Sequence, residues 1–439
     1  MPTARNSMVN TVVPNGARPG HPVAWQVPRA GAGYPAVLHC TWAFRLAMLT
    51  WVASLTKSVG VALHGLVGML PLFALALVVS GLEGSIKTIL NNVVRNGRRN
   101  WLMVLLVIWY GFGVFSKMYL WGAAETDWRG VMGPVLLVLA LLMGFGFMHE
   151  DRCVRSFQIA LIAAVGVQSA FSGLVMQEDP TVSRAAWTEL GGTWSYGDQA
   201  GFALQAMLLP ILVWRGLVEQ GALRWSLLAG CAAISFSVTV CNFATAILLL
   251  ALSIPTAALL SLTFVRQRFF EVLAVALCLL LVGTGAALLL RDTPLMAPTV
   301  EKVERLWEDP ISGGYSHRDA EKGSRWVLAA HSFDAFCQSP LFGSGSGSIR
   351  YSEVVGGHSS LFDMLAFYGL LGGGGAFVAL VLLLLARALQ RLQRHRNWTA
   401  VVVATSVVLF LIAGVVNPYW ESSIAMVFLV GMLFRLPQE

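Results

Sequence analysis

Long apolar runs separated by short basic clusters recur from about residue 41 to residue 435. A helix needs roughly 20 predominantly apolar residues to cross the hydrocarbon core of a bilayer. On that scale the pattern predicts spans near 41–56, 59–81, 101–119, 129–149, 155–177, 198–215, 224–239, 242–264, 269–290, 366–387, 398–416 and 419–435. The first is short and carries Arg45, which also fits an interfacial helix. The expected fold class is all-α, a polytopic membrane protein of about 12 transmembrane helices.

Loop charge orients such a chain, because Lys and Arg gather on the cytoplasmic side. Alternate connections carry Lys87, Arg95, Arg98 and Arg99; Arg152 and Arg155; Arg215 and Arg224; Arg266 and Arg268; and Arg387, Arg391, Arg394 and Arg396. Arg5, Arg18 and Arg29 near the start and Arg435 near the end join them, so both termini are expected in the cytoplasm. Residues 1–40, rich in Pro, Gly and Arg and without a continuous apolar core, read as a disordered cytoplasmic tail rather than a cleavable signal peptide. Residues 41–290 then hold the first nine spans, 291–357 a long loop on the opposite side, and 358–439 the last three spans. A shorter loop, 178–197, shares that opposite side.

Composition agrees: 56% of the chain is hydrophobic and 12% charged, against roughly 25% charged in soluble domains. The net charge of +7 does not point to nucleic acid, because the cations sit between apolar runs. Of the cysteines, Cys337 alone falls on the side opposite Cys40 and Cys153 and outside the apolar runs that hold Cys231, Cys241 and Cys278, so no disulfide framework is expected. Neither a CxxC nor an HExxH signature occurs.

Long loops of ordered composition are usually functional. Within 291–357, the segment 317–338 is amphipathic, with Trp326, Ala330 and Phe333 at helical spacing. Arg318, Lys322 and Arg325 fall at i, i+4 and i+7, which sets three cations along one helix face. That face reads either as a solvated surface partly neutralised by Glu321 or as an anion-binding strip. Next come Gly343, Gly345 and Gly347 in alternation, within Ser339–Ser348; they suit a flexible link or a loop shaped to lie close to a polar ligand, and no Gly-Lys-Ser/Thr follows as a P-loop would require. His358 stands where the loop ends and an apolar helix begins. An imidazole there titrates near neutral pH and can accept a proton from a hydroxyl; the plain alternative is an ordinary polar side chain at a membrane surface.

The stretch 325–347, RWVLAAHSFDAFCQSPLFGSGSG, followed from position 358 by HSSLFDMLAFYGLLGG, resembles the signature region of the O-antigen ligase and polymerase family. The shared pieces are an Arg, an amphipathic helix, a Pro-Leu-Phe-Gly-x-Gly run, a His, and a Leu-rich helix ending in Gly-x-x-Gly. The resemblance covers about 320–375. Ser359 stands where the family often has Asn, and Phe367-Tyr368 where it often has Glu. The family's Ser-Arg-Gly before a span looks replaced around Cys241-Asn242-Phe243.

The resemblance implies a GT-C-like membrane glycosyltransferase in the bacterial inner membrane, with its site in the periplasm. Its donor would be an undecaprenyl-diphosphate-linked glycan, and its acceptor a sugar hydroxyl of lipid A–core. His358 would be the catalytic base; His317 and His331 lie outside the pattern. The diphosphate would be held by Arg325, with Arg318 and Lys322 on the same face and Arg184 from the other loop. Arginine suits that role because its planar fork is always charged and binds phosphate bidentately. Metal and cofactor are both expected to be none: no Asp-x-Asp occurs in either loop, and Glu178-Asp179-Pro180 and Glu308-Asp309-Pro310 read as turn starters. Polymerisation of lipid-linked glycans is the alternative within the enzyme class. A lipid-linked glycan transporter is the alternative outside it, weighed down by the lack of visible repeats and by Lys117 and Asp198 lying near span edges.

Overall fold

Every regular element among the described residues is an α-helix. The computed structural model describes residues 86–120, 129–146, 199–240, 244–264, 325–344 and 359–416, with single positions 78, 166, 169, 270, 293, 297 and 300. The helices, in chain order, are α1 Ile86–Arg99, α2 Trp101–Leu120, α3 Arg129–Gly146, α4 Gln199–Val218, α5 Ala222–Val240, α6 Ala244–Phe264, α7 Arg325–Gln338, α8 Ser360–Tyr368, α9 Gly374–His395 and α10 Trp398–Val416.

Lipid is what makes several of these segments helical. In α10, Val401, Val402, Val403, Val407 and Val408 are β-branched residues of modest helix propensity in water. Without water to satisfy the backbone, a helix is the way a single apolar segment closes all its own hydrogen bonds. The same constraint lets Pro210 and Pro255 sit inside α4 and α6. Ala222–Thr239 of α5, Thr245–Phe264 of α6, α9 and α10 are each long and apolar enough to cross a membrane. Along α2, Leu105, Ile108, Phe112 and Phe115 are exposed at helical spacing while Met103, Val107, Tyr110 and Val114 are buried, so both of its faces are apolar. Apolar exposure of that extent fits the lipid-facing surface of a membrane-embedded bundle.

The expectation of a helical membrane protein holds. The runs predicted near 101–119, 129–149, 198–215, 224–239, 242–264 and 398–416 coincide with α2, α3, α4, α5, α6 and α10, with end shifts of the size assignment allows. The tail 1–40, the runs near 41–56, 59–81, 155–177, 269–290 and 419–435, the loop 178–197 and most of 291–357 lie outside the described residues.

Two expectations need correcting. The run drawn at 366–387 is two helices: α8 ends at Tyr368, residues 369–373 turn, and α9 runs from Gly374 to His395. Gly369 at φ 64 and Gly373 at φ 114 take left-handed backbone that a residue with a Cβ resists, which breaks the run. Helix α9 continues past the apolar stretch through Arg387, Arg391 and Arg394 to His395. The basic connection 87–99 is itself helical, as α1. Asn92 and Asn96 fill its buried face and donate to the carbonyls of Gly146 and Phe145, 3.4 and 2.9 Å away. Those carbonyls end α3 and have no partner within their own helix.

Packing runs continuously through the bundle. Helix α4 pairs with α5 across a short turn and also contacts α6 and α10; α10 contacts α9, α9 contacts α2, α2 contacts α3, and α3 contacts α1. Tyr110, Leu137, Phe202, Phe377 and Phe410 are fully buried within it. Helices α2 and α9 are antiparallel. Gly113 meets Gly372 and Gly373 toward one end, and the Arg387 guanidinium donates to Asn100 Oδ1 at 2.7 Å toward the other. The two contacts are about 20 Å apart along the pair, from the rise of an α-helix.

The Asn100 end is basic. There α1 meets α2 at 92°, and α9 finishes in the exposed Arg394, His395 and Arg396. The turn between α4 and α5 joins the same end, because Trp214 Nε1 donates to Thr399 Oγ1 at 3.2 Å; it brings Arg215, paired with Glu219 at 2.7 Å, and Arg224. Helix α1 carries four cations, each of which would cost about 2.5–3.5 kcal/mol at the centre of a hydrocarbon core.

Candidate functional site

The two halves of the signature-like stretch fold onto each other. Helix α7 packs on α8, which packs in turn on α9, α10 and α2. The face α7 turns inward centres on Ala329 and Ser332, not on Ala330 and Phe333 of the stripe that apolar spacing predicts; the Trp326 side chain lies outside the described ones. Ala330 is exposed and Phe333 is 47% exposed, its ring meeting Phe362 edge-on at 6.0 Å. The prediction misphases the helix because it counts only apolar residues. Ser332, fully buried, belongs to the inner face because its hydroxyl donates to Asp363 Oδ1 at 2.8 Å.

Asp363 is the joint of this unit, and the sequence reading passed over it. Its side chain is buried, and Oδ2 accepts the Ser359 N–H at 3.2 Å. A carboxylate in the first turn of α8 thus satisfies a backbone donor at the helix start, where the helix dipole also favours negative charge. The available signal was an acid in the first turn of an apolar helix, where the helix dipole favours negative charge. The Ser359 hydroxyl, beside position 358, is buried without a hydrogen-bond partner among the described residues.

The segment after α7 is no free link as far as Ser344. Pro340 O accepts from Leu370 N–H at 2.8 Å, Leu341 O from Leu371 N–H at 2.7 Å, and Ser344 N–H donates to Ala366 O at 2.8 Å. Backbone thus meets backbone, and the glycines permit it: a Cβ on Gly343 would lie 2.4 Å from Phe367 O, and one on Gly369 would lie 2.4 Å from Gly343 N. The close approach foreseen for a polar ligand is made, at Gly343, to the neighbouring turn; Gly345 and Gly347 lie outside the described residues. The turn is anchored on α2, where Trp109 Nε1 donates to Leu371 O at 2.8 Å and Tyr110 packs on Phe377 and Tyr368. The Lys117 ammonium lies 5.6 Å from the centre of the Tyr368 ring.

The links Ser332–Asp363 and Pro340–Leu370 advance together along both segments, so α7 and α8 run in the same direction. Arg325, the first residue of α7, and Ser359, just before α8, therefore open at the same end of the pair. That unit sits at the glycine end of α2 and α9, away from the basic end. His331 and Cys337 are exposed on α7. Arg184, His317, Arg318, Lys322 and His358 lie outside the described residues. Among the described residues, no three His, Cys, Asp or Glu side chains gather as metal ligands would.

Asp363→Ala is expected to loosen α7 from α8. It removes the carboxylate that accepts from the Ser332 hydroxyl and the buried Ser359 N–H, and a hydrogen bond to a charged group is worth about 1.5–3 kcal/mol. Thermal melting in detergent should show a lower midpoint, with a smaller loss in Asp363→Asn, which keeps one acceptor oxygen. An unchanged midpoint in Asp363→Ala would remove the joint.

Compared with protein-family models and with curated proteins, the chain gives no match.

Proposed function

We propose that this chain is a membrane glycosyltransferase of the O-antigen ligase kind. It moves a glycan from undecaprenyl diphosphate to a sugar hydroxyl of lipid A–core at the periplasmic face of the inner membrane. One observation carries the reading: 325–344 and 359–375, the two parts of the signature-like stretch, pack as one unit at the end of α2 and α9 remote from the basic turns. The excess of Lys and Arg at the basic turns supports a cytoplasmic side there and, in a bundle of about twelve spans, a periplasmic side for this unit.

In this mechanism the acceptor hydroxyl oxygen attacks the anomeric carbon as His358 takes its proton. The bond from that carbon to the diphosphate oxygen breaks, and undecaprenyl diphosphate departs with the electron pair. Negative charge growing on the diphosphate is met by Arg325, with Arg318, Lys322 and Arg184 contributing cations, so the reaction proceeds without a divalent metal. A single displacement inverts the anomeric centre.

The test is reconstitution in nanodiscs with lipid-linked glycan and either lipid A–core or a second lipid-linked glycan. Glycosylated lipid A–core is expected. Lengthened lipid-linked glycan alone would make the chain a polymerase, and glycan crossing vesicles without a new glycosidic bond would make it a transporter. Arg325→Lys should lower transfer roughly ten- to hundredfold, because a point charge loses one of two charge-assisted hydrogen bonds. Steady-state kinetics check this, with the loss expected in kcat if the contact tightens in the transition state.

A further inference from the structure

We infer that α1 is a surface-lying helix that binds anionic phospholipid headgroups, independently of any glycan chemistry. Three i, i+4 pairs divide its circumference. Asn92 and Asn96 are buried against the end of α3. Leu90 and Val94, 58% and 53% exposed, form an uncovered apolar strip. Arg95 and Arg99, flanked by Lys87 and Arg98, form an exposed cationic strip.

The helix contains no Asp or Glu, so nothing on it offsets those charges. Its 92° turn into α2 at Asn100 sets it across the direction in which α2 enters the bilayer. Trp101, 64% exposed at the turn, stands where aromatic side chains sit at a membrane–water boundary. An apolar strip beside a cationic strip on a helix lying flat is the arrangement that seats side chains among acyl chains and places guanidinium groups at phosphate depth. A soluble acidic protein would answer the charges but leave Leu90 and Val94 uncovered; an anionic lipid surface answers both. Four cations exceed what a single headgroup needs, so the strip recruits several.

The experiment uses the full chain in nanodiscs of mixed phosphatidylglycerol and phosphatidylcholine, extracted mildly, with co-purifying lipid quantified by mass spectrometry. Wild-type protein should retain phosphatidylglycerol above its share of the bilayer. The fourfold variant Lys87→Gln, Arg95→Gln, Arg98→Gln, Arg99→Gln should lose that preference by about tenfold, with its melting temperature held. Arg98→Gln with Arg99→Gln, both exposed in the last turn, should lose part of it and serves if the fourfold variant misfolds. Arg394→Gln with Arg396→Gln, at the same end of the bundle but off α1, should keep most of it. Preference unchanged in the α1 variants, or abolished equally by the Arg394 and Arg396 changes, overturns the inference.

Discussion

His358→Ala is expected to cut glycan transfer by about 100- to 10,000-fold, the usual contribution of a positioned general base. The hydroxyl nucleophile keeps its proton in that variant, while the leaving group and its cations are unchanged. Substrate binding should therefore survive better than turnover, so the loss falls on kcat rather than KM. Folding should be spared, because the neighbouring anchor is backbone: the Ser359 N–H reaches Asp363 whatever side chain precedes it. The wild-type rate should also fall on the acidic side of neutrality, as the imidazole takes up a proton and ceases to be a base, and the residual rate of His358→Ala should not follow that curve. Transfer retained within a few-fold of wild type, in protein of normal melting behaviour, removes His358 from the mechanism.

The largest structural effect is expected at Gly113. A Cβ there would lie 1.9 Å from Gly372 O and 2.8 Å from Gly373 Cα. The neighbours are backbone, so no side chain can swing aside. Gly113→Ala must open the crossing of α2 and α9, straining the Trp109–Leu371 hydrogen bond and the packing of Tyr110 on Phe377. Overpacking of well-filled sites costs typically 1–3 kcal/mol, and contact of backbone with backbone belongs near the top, about 3 kcal/mol. The variant should melt well below wild type and lose transfer, because the turn that holds α8 moves with it. Gly97→Ala is the contrast. A Cβ there meets nothing within 4 Å, and within a helix the change from Gly favours folding by about 0.5–1 kcal/mol. If both alanines behave alike, the close crossing is not what holds this end of the bundle together.

Much of the helix layout was legible because lipid imposes a length. Helices α2, α4, α5, α6 and α10 follow from apolar runs alone. Polar residues that bury one another were illegible to the same reasoning. The cations of 87–99 mark a connection between spans, while Asn92 and Asn96, which bury α1 against α3, carry no apolar signal. Ser332 shifted the inner face of α7 because its partner, Asp363, lies on another helix. The glycines of 369–373 sat inside an apolar run whose composition does not distinguish a bend from a span. Of the candidate site, the order of pieces in the sequence marked two segments that pack on each other, with Arg325 at the head of α7. Asp363, which joins the pair, was missed because a lone carboxylate in a sequence does not name what it binds.

The most direct measurement asks whether the two principal residues share one side of the membrane. Arg325→Cys and His358→Cys, introduced singly and together with Cys337→Ser to remove an exposed thiol, can be labelled in intact spheroplasts with a membrane-impermeant maleimide and joined with a short bis-maleimide. Both positions should react from the periplasmic side and cross-link in the double variant, while Arg98→Cys should react only after the membrane is opened. Labelling of positions 325 and 358 from opposite sides, or no cross-link between them, would contradict a single site built from both.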